Sequence, residues 1–285
     1  MRTLKRPAAA LIAPHFSSTA TVVAPGDGSL SAKALLPPWA AAVAGGPVTK
    51  SCYYSGSEEL RSKVTIVRTR EEAAVAVAAL YRASAQGAVH ACDTEVMDID
   101  LSEVGPVGHG HVTCVSIFSG PDVDYGDGPG KALWIDNLDE ADGVLQAFKA
   151  WFEDESQKKV WHNFGFDRHV MFNEGIDALG FGGDTMHMAR LADSSRDKAA
   201  GGGAGYSLEA LTHDLVGVRK VPMKEIFGVG KPLKDGTASK VLVVPAIENL
   251  QRGTFDPGHR NAFIKYSAFD AEGTWKLYKV LDEGA

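Results

Sequence analysis

The chain is poor in cysteine: Cys52, Cys92 and Cys114 are the only three in 285 residues, an odd number without a C-x-x-C pair. That excludes a disulfide framework and a zinc knuckle, and it fits a reducing compartment. No uninterrupted apolar run approaches the ~18 to 20 residues of a spanning helix, which excludes a transmembrane segment of that kind. His162, His169, His187 and His213 form no H-E-x-x-H pattern, so zinc hydrolysis of that type is not encoded. Gly228-Val229-Gly230-Lys231 lacks the preceding Gly and the following Ser or Thr of a phosphate loop, and Gly126, Gly128 and Gly130 lie in an acidic turn. Nucleotide-triphosphate binding is therefore not supported. Basic residues are also outnumbered by acids outside the N-terminus. Of 29 basic and 36 acidic residues, five basic and one acid (Asp27) fall in residues 1–57, leaving 24 against 35 in the rest. A body this acidic repels a phosphate backbone, so nucleic-acid contact must rest on a local basic strip or on bound cations.

What is present is a globular composition, 45% hydrophobic and 23% charged, long enough for one large domain or two small ones. The first 46 residues are rich in Ala, Ser, Thr, Pro and Gly and begin with Met-Arg and Lys-Arg. Residues 1–57 thus read as a disordered N-terminal segment with the composition of an organellar transit peptide, or as an Ala-rich tail without an address. Residues 58–285 read as the folded domain. Val64 to Val67 is a strand, and Thr69 followed by Glu72 is a capping box opening a helix through about Arg82. Ala88 to Val96 is a strand with Asp93 and Glu95 on one face and Thr94 on the other. Val112 to Phe118 and Ala132 to Ile135 complete an antiparallel meander, followed by a helical pattern over Leu138 to Phe152. A short strand, Lys158 to His162, feeds a helix over Asn163 to Glu174; further helices are expected at Met186 to Leu191, Ser207 to Leu211 and Asn261 to Leu281. Val216 to Pro257 reads as a long surface insertion. The order is that of an α/β fold with a mixed sheet flanked by helices.

The chemical signal is acidic. Asp93-Thr94-Glu95 puts two carboxylates at i and i+2 on one strand face, where they repel unless a cation sits between them. Mg²⁺ or Mn²⁺ suits such oxygen ligands; a solvated strand end is the bland alternative. Trp161-His162-Asn163-Phe164-Gly165-Phe166-Asp167 sets an acid at the start of a helix, as an anion favoured by the helix N-terminus or as a cap. Tyr266-Ser267-Ala268-Phe269-Asp270 sets a phenol and a carboxylate one helical turn apart.

In the order D-x-E, N-x-x-F-D, Y-x-x-x-D, these segments resemble the three motifs of the DEDD 3′ to 5′ exonucleases, in the subgroup with Tyr in the third. The wider text, His90-Ala91-Cys92-Asp93-Thr94-Glu95-Val96, Val160-Trp161-His162-Asn163, Asp184-Thr185-Met186-His187-Met188-Ala189-Arg190-Leu191 and Tyr206-Ser207-Leu208-Glu209-Ala210-Leu211-Thr212, is similar to the exonuclease region of plant organellar DNA polymerases of the polymerase I type. The resemblance covers roughly Lys63 to Leu281 and implies a ribonuclease H-like fold. It implies two Mg²⁺ (or Mn²⁺) ions, with Asp93 bridging both, Glu95 and Asp270 completing the shell of the water-activating ion, Asp167 holding the second, and Tyr266 orienting the attacking water. The implied substrate is single-stranded DNA or a frayed DNA 3′ end, in a chloroplast or mitochondrion and away from membranes. In that family a polymerase domain follows; fifteen residues after Asp270 leave no room for it, so polymerisation is not expected of this chain, and a separate polymerase subunit becomes a conceivable partner.

Three further readings stay open. Asn163 contacts the strand or fixes the turn of its motif. Lys220, Lys224, Lys231 and Lys234, in a segment of net charge +4 from Val216 to Lys240, guide the strand or merely solvate a loop. Asp184 caps the helix that follows it or touches substrate. The same motifs also suit an exoribonuclease resembling ribonuclease D, or a catalytically silent binding subunit, although four intact acids weigh against silence.

Overall fold

The computed structural model describes residues 58–196, 205–232 and 238–283, so the expected N-terminal segment 1–57 and Lys234 lie outside the described residues. Helix α1 (Glu58–Lys63) leads into β1 (Val64–Val67) and α2 (Arg70–Ala85). The Thr69 hydroxyl accepts from the Glu72 amide at 3.2 Å, and the Glu72 carboxylate accepts from the Thr69 amide at 3.1 Å. This reciprocal pair satisfies amides that the first turn of α2 leaves without helical partners. Strands β2 (His90–Met97), β3 (His111–Phe118) and β4 (Ala132–Asp136) form the expected antiparallel meander.

The helix expected over Leu138 to Phe152 is broken. Only α3 (Lys149–Phe152) is α-helical, after two 3₁₀ turns, Asp139–Ala141 and Leu145–Phe148. Gly143 takes a left-handed φ of +81°, and the Asn137 side-chain oxygen accepts from the amides of Gly143 and Leu145 at 3.1 and 3.3 Å, which fixes the break. The chain continues through β5 (Lys159–Trp161), α4 (Phe164–Asn173), β6 (Phe181–Asp184), α5 (Thr185–Ala192) and α6 (Leu208–Leu211). Strand β6 has no counterpart in the sequence reading, because Phe-Gly-Gly-Asp is a poor strand former and pairing with β5 overrides its propensity.

The segment 216–257, expected as a surface insertion, has structure of its own. It carries α7 (Met223–Phe227), a hairpin of β7 (Val229–Pro232) and β8 (Ala238–Val243), and α8 (Ile247–Arg252). Phe227 and Leu250 are fully buried against Leu60, Val64, Trp134 and Phe263. Each such anchor contributes about 1.5 to 3 kcal/mol by leaving water, yet two isolated apolar residues produce no periodic signal. Helix α9 (Pro257–Glu283) closes the domain and starts four residues before the expected Asn261, with Pro257 at its first position, where no amide partner is lost.

The six-stranded sheet has the order β1-β4-β3-β2-β5-β6, with β1, β5 and β6 parallel to their neighbours and the meander antiparallel. On one face Cys92, Val115, Ile117, Leu133, Ile135 and Trp161 pack with α2 and α4; on the other Cys114, Phe118, Ala132 and Trp134 pack with α1, α8 and α9. Strand alternation therefore sends Asp93 and Glu95 toward α9 and Thr94 toward α4. Among the described residues no helix is long and apolar enough to cross a membrane.

Candidate active site

Strand β2 sits in the middle of the sheet and ends in its acids. Oxygens of Asp93, Glu95 and Asp270 all lie within 4.8 Å of one another, although Asp270 arrives on α9 from far along the sequence. Such a spacing lets three carboxylates share one hard cation. Asp167 comes from the opposite face. Its Oδ1 accepts from the Thr94 amide at 3.2 Å and from the Thr94 hydroxyl at 2.7 Å, so the residue between the two strand acids holds the fourth one beside them. The sequence reading missed this use of Thr94; its only trace was a hydroxyl on the opposite face of the D-x-E strand.

Lys220 stands inside this group rather than on an open strip. Its Nζ lies 2.7 and 2.8 Å from the two oxygens of Asp270 and 4.4 Å from the centre of the Tyr266 ring, with its side chain only 13% exposed. An ammonium is thus already accommodated where the carboxylates converge. Lys224 is exposed on α7, Lys231 belongs to the backbone of β7, and Lys234 falls outside the described residues. Asn163 occupies the left-handed region at φ 70°, where Asn is among the tolerated residues, and its side chain makes no capping bond to α4. The turn is instead held by Asp184, whose carboxylate accepts from the amides of Asn163 and Phe164 at 3.0 and 2.9 Å. Asp184 does cap α5, through the amides of Met186 and His187 at 3.0 and 3.4 Å.

The electrostatics follow from burial and crowding. Burial first, then the charges of Asp270, Asp167 and Glu95, holds the Asp93 carboxyl well above the usual carboxylate range. Burial, with Asp270 next, raises Glu95 to about 8; burial raises Asp167 to about 7 against the hydrogen bonds from Thr94. Asp270 reaches only about 6, because Lys220 opposes the effect of burial. The same burial, reinforced by the charge of Asp270, raises Tyr266 to about 12, so its hydroxyl is neutral near pH 7. Because folding raises these carboxyl pKa values, the folded state holds extra protons between the unfolded range near 4 and the folded values up to about 8. Stability from this source is complete at the low end and lost as pH rises. The metal-free protein is therefore expected to melt at a lower temperature at pH 8 than at pH 5, and Mg²⁺ to remove that slope; thermal melts in EDTA and in Mg²⁺ check it.

A mixed sheet covered by helices on both faces, with acids gathered along a central strand, is the ribonuclease H-like arrangement. Residues 64–284 match the family described as 3'-5' exonuclease, and the chain belongs to that family as a 3′ to 5′ exonuclease domain. It is 45% identical over 236 residues to DNA polymerase I A, chloroplastic/mitochondrial, of Arabidopsis thaliana, a match covering 78% of this chain and 21% of that protein. It is 44% identical over 223 residues to DNA polymerase I B, mitochondrial, of Oryza sativa subsp. japonica, covering 74% of this chain and 21% of the relative. The chain thus spans about a fifth of the length of these relatives. Its fold resembles the crystal structure of Trypanosoma brucei RNase D with a TM-score of 0.50 and 16% identity, over 78% of this chain and 65% of that one.

Proposed function

We propose that the domain removes nucleotides from single-stranded or frayed DNA 3′ ends, by the Tyr-containing DEDD chemistry, with two divalent ions held by Asp93, Glu95, Asp167 and Asp270. One observation carries this reading: three carboxylates from β2 and α9, two half-buried and one buried, lie within 4.8 Å, a crowding that repels without a cation. The fit of a cation is supported by Lys220, which already sets a positive charge against Asp270. When bound, hard divalent ions would make the attacking water more acidic and neutralise the charge developing on the leaving 3′ oxygen.

The chain's own residues supply the rest. Thr94 holds one oxygen of Asp167 and so orients the carboxylate. Tyr266, neutral and packed beside Lys220, would orient a water with its hydroxyl. Lys224, exposed on α7, would contact phosphates, with Asn163 at the exposed turn before α4, and Lys231 and Lys234 share this proposal by their place in the basic segment of the sequence. An organellar address is supported by the names of the relatives and by the basic, acid-poor composition of residues 1–57. A polymerase domain or subunit acting with this one belongs to the same proposal, since the relatives are DNA polymerases.

Tyr266→Phe is expected to leave Mn²⁺ affinity unchanged and to slow turnover by about 10- to 100-fold, the loss of one positioning hydrogen bond in the transition state. Calorimetric titration and single-turnover kinetics check the two halves separately. The function itself is tested with end-labelled single-stranded DNA and RNA of one sequence, in Mg²⁺, Mn²⁺ or EDTA. Metal-dependent mononucleotide release from the DNA 3′ end supports the reading; preference for RNA, or inertness in both metals, contradicts it.

A further inference from the structure

The geometry assigns Asp184 a role beyond capping its own helix: we infer that it is the positioning residue for Asp167, clamping two helix N-termini with one carboxylate. The inference rests on the reading of Asp167 as a metal ligand given above. Asp184 is 4% exposed and ends β6, where it faces the end of the parallel strand β5. Its Oδ1 accepts from the amides of Asn163, Met186 and His187, and its Oδ2 accepts from the amide of Phe164. Four amides of two different helices thus end on one side chain, and the two serving α4 come from a segment about twenty residues away in sequence.

The consequence for Asp167 is geometric. Asn163 holds a left-handed backbone at the start of α4, and its own side chain makes no capping bond. Asp184 supplies the missing cap from outside the helix and so sets where α4 begins. Asp167 lies one turn further on, at the point where its Oδ1 meets Thr94. A second tie runs parallel, since the His162 ring nitrogen lies 2.8 Å from the Thr185 hydroxyl, which also donates to the Trp161 carbonyl at 3.2 Å. Release of the Asp184 clamp frees the start of α4 to turn, and Asp167 moves while β2 and α9 keep Asp93, Glu95 and Asp270 in place. Loss of an outer-shell partner of a metal ligand typically weakens metal affinity by roughly 10- to 100-fold.

Asp184→Asn separates this role from simple capping. Asn caps a helix nearly as well as Asp, so α5 keeps its cap through the remaining oxygen, whereas the new amide group faces the Phe164 N–H and cannot accept from it. The full chain is titrated with Mn²⁺ by calorimetry as wild type, Asp184→Asn, Asp167→Ala, the double variant and Asp93→Ala, with thermal melts of each. Asp184→Asn is expected to weaken one of two Mn²⁺ sites by about tenfold or more, to leave the other unchanged, and to have no further effect once Asp167 is Ala. Two unchanged sites, or equal weakening of both together with a lower melting temperature, would overturn it. Wild-type Mn²⁺ binding in Asp93→Ala overturns the metal-site reading and this role with it. An unaffected Asp184→Asn beside a defective Asp93→Ala overturns the role of Asp184 alone.

Discussion

Asp93→Ala is expected to lower the rate of 3′-end cleavage by at least about 1000-fold, roughly 4 kcal/mol of transition-state stabilisation. Asp270, Asp167 and Glu95 all act on the Asp93 carboxyl. On the proposed reading Asp93 would serve both ions, so its removal would take a ligand from each. The loss is not one of folding. Taking one carboxylate out of a crowded, mutually repelling group relieves repulsion, so the metal-free variant is expected to melt at or above the wild-type temperature. Single-turnover release of labelled mononucleotide in saturating Mg²⁺, with a melt in EDTA, checks both parts. A variant that cleaves at the wild-type rate contradicts the assignment, and one that is merely unfolded leaves Asp93→Asn to repeat the test with the shape preserved.

Lys220→Met has the next largest expected effect, and it concerns stability. The ammonium is buried against Asp270, with the two side chains 13% and 8% exposed, so its removal strands an acid among three others. Breaking a buried pair from one side costs about 3 to 5 kcal/mol, and the lower figure applies here because Asp270 can take up a proton. The sign with pH follows from that escape. Lys220 is what holds Asp270 down near 6 despite its burial, so without it the carboxyl binds its proton to higher pH. The deficit is therefore small at pH 5, where the acid is already protonated, and grows as pH rises to 8. Urea unfolding in EDTA at both values checks it, and Mg²⁺ is expected to restore much of the loss by binding only the folded state. Equal stability of variant and wild type at pH 8 would contradict the placement of Lys220.

The legible parts of the fold were those written in local chemistry. Thr69 and Glu72 specify the start of α2 by side chains three residues apart, and alternation along β2 and β3 specifies which face the acids take. The order of the three acidic motifs carried the family. What could not be read was non-local. Strand β6 exists because β5 pairs with it, and Phe-Gly-Gly-Asp alone carries no strand propensity. Phe227 and Leu250 are single anchors in a segment without period, so their burial depends on Trp134 and Phe263 meeting them from elsewhere. In the site, the acids were visible as spacing, but three supports were not. Thr94 under Asp167, Lys220 against Asp270 and Asp184 across two helices each join residues 20 to 73 positions apart. The sequence left Lys220 open between a strand-guiding strip and a solvated loop, because charge counting carries no depth.

The most direct measurement is anomalous scattering from crystals of the full chain soaked in Mn²⁺. Two peaks roughly 3.5 to 4 Å apart are expected, one among Asp93, Glu95 and Asp270 and the other between Asp93 and Asp167, with the Lys220 ammonium displaced from its contact. Saturating Mn²⁺ that leaves these four carboxylates without a peak, and Lys220 still seated on Asp270, would contradict the assignment of the site.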